Sequence, residues 1–154
     1  MVLEDIQRRI GGGKKKLPNV AVFVDGPNVL RKELGVDLRT VRLALEPFGK
    51  IKVGKVFLNQ FASDKLVEAV VNAGFESQIT VGDIDVAMSV EAMECVFNPS
   101  IGVVAFVSRD GDFGPAIMKA KRYGKDTVVV LVDESSAASL KSVSDFVVFL
   151  KKNK

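Results

Sequence analysis

Histidine is absent from the 154 residues of this chain, and that absence excludes more chemistry than any other feature of the composition. Without an imidazole there is no Ser-His-Asp triad, no histidine general base and no His-ligated zinc. A metal site must then be built from oxygen ligands, which points to magnesium or manganese. Cysteine occurs once, as Cys95, so an intrachain disulfide framework is excluded and a reducing, cytoplasmic setting is expected. No apolar run approaches the roughly 18 residues of a membrane span, so no membrane partner is expected. The opening MVLEDIQRRIGGGKKK has no apolar core followed by a cleavage site and does not read as a secretory signal. The turn after the first strand also lacks G-x-G-x-x-G, which disfavours a Rossmann-type cofactor protein.

What is present is a single domain's length of chain with its basic excess at the ends. Residues 1–16 carry five basic and two acidic side chains, and residues 151–154 carry three lysines, while residues 17–150 hold 14 basic against 17 acidic groups. The expected organisation is a flexible basic tail over 1–16, a folded domain over 17–150 and a short basic tail over 151–154. Leu3, Ile6 and Ile10 stand at helical spacing in the first tail, ahead of the linker-like GGGKKK. Lys14–Lys16 and the final KKNK either attract polyanions through salt-sensitive contacts or are solvated ends.

The domain is organised around Ile101–Phe113, IGVVAFVSRDGDF. Its first half is an uninterrupted apolar, β-branched run, as expected of a central strand covered on both faces. The run stops at Ser108; Asp110 and Asp112 follow at once, and Gly114-Pro115 restarts the chain as a helix. Similar strands are expected over 20–24, 51–58, 75–80, 127–132 and 146–150. Helices are expected over 38–46, 63–72, 84–97, 115–123 and 136–141, with Asp37 and Ser63 as N-caps. Strands alternating with helices imply right-handed crossovers, hence an α/β three-layer sandwich with a mostly parallel central sheet of five to six strands. In the 84–97 helix the expected core stripe is Val86, Val90, Met93 and Phe97.

Three places put acids just after strands or at helix starts: Asp25, the pair Asp83/Asp85, and the pair Asp110/Asp112. Carboxylates converging on one sheet edge repel each other, and a divalent cation removes that penalty while polarising a phosphoryl group. Asp85 lies to the side of the core stripe and can face the edge; Glu91 points roughly the other way on the same wheel, and Asp83 suits a turn or cap. Asn28 can hold Asp25 or bind a phosphate, and also suits a simple Asx turn. Ser108 can donate to a phosphate oxygen or merely end its strand. Arg109, with Lys119, Lys121 and Arg122 of the next helix and Lys125 just beyond it, can lie along an anionic polymer or simply be solvated.

The stretches VFVDGPNV (Val22–Val29), GDIDVAMSVEAM (Gly82–Met93) and FVSRDGDFGPAI (Phe106–Ile117) together resemble the three motifs of the NYN domain family, also described as LabA-like, within the PIN-like nucleases. The likeness extends over roughly Asn19 to Leu150. It implies a PIN-like fold and a magnesium- or manganese-dependent endoribonuclease. By motif, Asp25, Asp85, Asp110 and Asp112 would be the catalytic, metal-holding acids, with Asn28 beside Asp25. The expected activity is phosphodiester hydrolysis by a metal-bound water on RNA, with Asn28, Ser108, Arg109, Lys119 and Arg122 as substrate contacts. The alternative is a noncatalytic RNA- or protein-binding module that keeps the fold. A dehalogenase-like phosphatase would need an acid two residues after Asp25, where Pro27 stands.

Overall fold

The computed structural model describes residues 17–109, 112–133 and 138–150. The two tails, Asp110, and positions 136–137 of the expected last helix lie outside the described residues. Six strands form one sheet in the order β3-β2-β1-β4-β5-β6, and every pairing is parallel. They are β1 (Asn19–Asp25), β2 (Lys50–Asn59), β3 (Glu76–Thr80), β4 (Val103–Ser108), β5 (Asp126–Leu131) and β6 (Phe146–Phe149). The chain builds outward from β1 through β3, then crosses back and builds the other half from β4. The order therefore reverses between β1 and β4. In open parallel sheets a crevice opens at such a point, outside the carboxyl ends of the strands.

Alternation along β1 and β4 sorts their side chains between two cores. Val20, Val22 and Val24 join Ala105 and Val107 under α2 (Leu38–Leu45) and α3 (Asp64–Asn72). Ala21, Phe23, Val104 and Phe106 face α4 (Ile84–Val96) and α5 (Gly114–Arg122), which supply Met88, Ala92, Ile117 and Ala120. A short α6 (Ala138–Val143) adds Leu140 to this second core. Burial on both faces explains why β1 and β4 read as continuous apolar runs.

The helix starts follow their caps. The Asp37 carboxylate accepts from the Thr40 amide at 2.8 Å and the Ser63 hydroxyl from the Leu66 amide at 3.1 Å. Asp83 caps α4, accepting from the amides of Asp85 and Val86. One element escapes the sequence pattern, a single-turn helix α1 (Gly26–Val29) directly after β1. Gly26 is required there by space: a Cβ would lie 2.5 Å from the Phe57 carbonyl oxygen and 2.6 Å from Leu58 Cδ2.

The expected core stripe of α4 is corrected by the structure at three of its four residues, while Met93 packs half-buried against the second core. Val86, Val90 and Phe97 are 59%, 65% and 55% exposed, whereas Met88, Ala92, Cys95 and Val96 are buried against the sheet. The helix is apolar on both sides, so helical periodicity alone does not say which side meets the core. Among the described residues, no helix is long and apolar enough to cross a membrane.

Candidate acidic site at the sheet switch point

Asp25 ends β1 and Ser108 ends β4, the two strands that flank the reversal of strand order. The pairing of Val24 with Val107 carries on to set Asp25 beside Ser108, and strand alternation turns both toward α4 and α5. The Asp25 side chain is 1% exposed. Its two oxygens are both engaged by Asn28, whose side-chain amide donates at 2.8 Å and whose backbone N–H donates at 3.4 Å. Asp25 is thereby the N-cap of α1, and Asn28 fixes the orientation of the carboxylate.

Burial pushes the Asp25 carboxyl above its ordinary pKa; the Asn28 hydrogen bonds oppose this, the negative charge of Asp85 adds to it, and Arg31 offsets it. The Asp85 charge is thus felt at Asp25. Asp85 stands in the first turn of α4, and its Oδ2 accepts from the Asp112 backbone N–H at 3.2 Å. The Asp112 turn is itself anchored, because the next residue, Phe113, is fully buried and stacks on Phe106 with ring centroids 5.3 Å apart. Asp25, Asp85 and the 112–113 turn therefore meet at one edge, brought there by three separate strand-to-helix junctions.

Ser108 is fully buried, and among the described residues its Oγ has no hydrogen-bond partner. A buried hydroxyl normally finds one, and its cost when it does not is about 1–3 kcal/mol. The orphan beside a buried carboxylate suits a ligand that brings an acceptor or donor into the crevice. An oxygen-rich set of this kind matches the donor preference of magnesium or manganese. Among the described residues, no three acidic or cysteine side chains form a group that could hold a metal ion; Asp110 lies outside them.

The other expected site residues divide. Lys119 lies on the wall of a groove of about 490 Å³ between α4 and α5, which begins at Asp85 and Asp112. Its Nζ also sits 5.5 Å from the Tyr123 ring centroid. Arg109 is exposed beside the acidic turn and Arg122 is exposed at the far end of α5. Lys121 and Lys125 are structural: Lys121 reaches the Val143 carbonyl and Asp145, and Lys125 ties down the carbonyls of Asn98 and Ile101. Glu91 forms an ion pair with Lys55 of β2 at 2.8 Å, away from the acidic edge, as its place on the helical wheel implied. Thr80, which ends β3 beside Asn59 of β2, was not singled out by sequence and also has a buried hydroxyl without a partner among the described residues.

Comparison with known proteins supplies a family and a fold. A family model described as the NYN domain matches residues 19–151. An uncharacterized protein of Methanocaldococcus jannaschii is 50% identical over 129 residues, covering 84% of this chain and 54% of the relative. The chain thus spans about half the length of that curated relative. A crystal structure of a protein of unknown function from Vibrio parahaemolyticus superposes with a TM-score of 0.76 at 21% identity, covering 88% of this chain and 94% of the other. That likeness concerns the fold.

Proposed function

From the premise that this chain belongs to the NYN domain family, whose fold is of the PIN-like nuclease type, we propose that it is a magnesium- or manganese-dependent endoribonuclease. The observation that carries the reading is the buried Asp25 carboxylate at the switch point, held in the field of Asp85 beside an orphaned Ser108 hydroxyl. Asp25, Asp85, Asp110 and Asp112 would hold the cation. Such an ion, when bound, neutralises the converging carboxylates, polarises the scissile phosphoryl group and lowers the pKa of water.

The chain's own groups prepare the place. Asn28 holds the Asp25 carboxylate in one orientation with its amide. The Asp112 backbone N–H does the same for Asp85. Ser108 has a hydroxyl to give to a phosphate oxygen. Arg109, Lys119 and Arg122 lie outward from the acids, where the phosphates of an RNA strand would pass.

The test is incubation of the purified protein with labelled RNA and DNA in manganese, in magnesium, and in chelator. The expected outcome is RNA cleavage in either metal and none in chelator. RNA bound tightly in all three conditions and cut in none would instead indicate a noncatalytic RNA-binding module.

A further inference from the structure

The groove that begins at Asp85 and Asp112 leads to a feature that the acidic site does not use. Its two walls, α4 and α5, both start at the acidic edge, and each is closed at its far end by an aromatic residue, Phe97 and Tyr123. The two rings meet edge to face, with centroids 4.8 Å apart and planes at 83°. Both stay more than half exposed, although phenylalanine is more often buried. In an edge-to-face pair the partner takes at most one face of Phe97, whichever ring offers its edge. The other face is left to meet a flat ligand.

Charge narrows the choice of ligand. Lys119 projects from the groove wall and lies over the Tyr123 ring, its Nζ 5.5 Å from the centroid. Arg122, three residues on, is exposed on the same side of α5. Among the described residues neither forms an ion pair. The nearest acid on α4, Glu94, shares the flank of Glu91, which pairs with Lys55 of β2 on the other side of the helix. Two such cations beside an exposed ring suit a polyanion whose units carry flat rings, which is single-stranded nucleic acid. A duplex keeps its bases stacked on one another, and an acidic peptide would use the cations but not the ring.

We infer that the Phe97–Tyr123 pair is a base-stacking subsite for single-stranded RNA, reached by a strand that runs from the acids past Lys119. The inference rests on the ribonuclease reading only for the choice of RNA. Phe97 lies about 18 Å along α4 from Asp85, so the stacked base is a few nucleotides from the phosphate at the acids. The subsite therefore favours unpaired strands long enough to reach both places.

The chain has no tryptophan, so Phe97→Trp supplies a single fluorescent ring at the subsite. The probe is an unstructured RNA of about 12 nucleotides, within the span such platforms cover, and binding is read in chelator so that cleavage plays no part. The single strand is expected to quench the indole emission, and the same RNA annealed into a duplex is expected to leave it unchanged. Phe97→Leu, which keeps an apolar side chain without a ring, is expected to bind the single strand about tenfold more weakly at an unchanged melting temperature. Phe97→Tyr is expected to bind like the parent. Single strand bound without quenching, or equal quenching by the duplex, would overturn the subsite, as would Phe97→Leu binding at the parent's affinity or no RNA binding by the parent. Cleavage of the same RNA by the parent in manganese is scored separately. Quenching without cleavage would leave the subsite standing and sink the ribonuclease reading, and cleavage without quenching would do the reverse.

Discussion

Asp25 bears the electrostatic cost of the site. Its pKa is raised first by burial, so the neutral carboxyl is the form the fold favours. The stability linked to that proton is fully present below the unfolded value of about 3.9 and is lost as pH rises through the higher folded value. Without a cation, Asp25→Asn is therefore expected to gain stability at neutral pH and to show less gain on acidification than the parent. Manganese should raise the melting temperature of the parent and barely move that of Asp25→Asn; an equal rise in both would place the metal elsewhere. Ser108→Ala separates ligand from fold in another way. Among the described residues the Oγ makes no bond that the fold would miss, so the melting temperature should hold or rise while RNA affinity or cleavage falls. A marked loss of stability would show that the hydroxyl is already satisfied. Asp25, Asp85 and Ser108 could be found in the sequence because each sits where a strand ends or a helix begins. Thr80 could not, because one hydroxyl at a strand end carries no signal until its neighbours across the sheet are known.

At the scale of elements, α4 shows how far periodicity carries. Its position and its Asp83 start follow from the residues, but a helix apolar on both sides offers two stripes of equal quality. The sheet selects Met88, Ala92 and Cys95, which join Ala21 and Phe23 of β1 in the second core. Met88→Ala should accordingly cost about 2–5 kcal/mol. Val86→Ala should cost well under about 1 kcal/mol, and chemical denaturation of both variants checks the difference. The β1–α1 junction obeys a tighter constraint. Adding a methyl at Gly26 drives it into the Phe57 carbonyl, which is backbone and cannot swing aside. Gly26→Ala should destabilise by about 1–3 kcal/mol and also displace Asp25, whose cap it adjoins. Wild-type stability in that variant would mean that β2 yields more readily than its central place in the sheet implies.

At the scale of the molecule, all six strands were legible, since runs such as VAVFV and VVAFV admit few other conformations and Gly or Asp punctuates their ends. Their spatial order was not. It depends on which flank of β1 each crossover returns to, and it is the pairing of β1 with β4 that puts Asp25 and Ser108 side by side. The sequence could propose that the acids share an edge; the order of strands makes that edge a crevice between β1 and β4. The central claim is that carboxylates in this crevice serve phosphodiester hydrolysis. Single-turnover cleavage of labelled RNA at saturating protein, in manganese, tests it most directly when the parent is set against Asp25→Asn. The account predicts cleavage by the parent, and a rate lower by about two orders of magnitude or more in the folded variant with RNA still bound. Cleavage by Asp25→Asn at the parent's rate would contradict it.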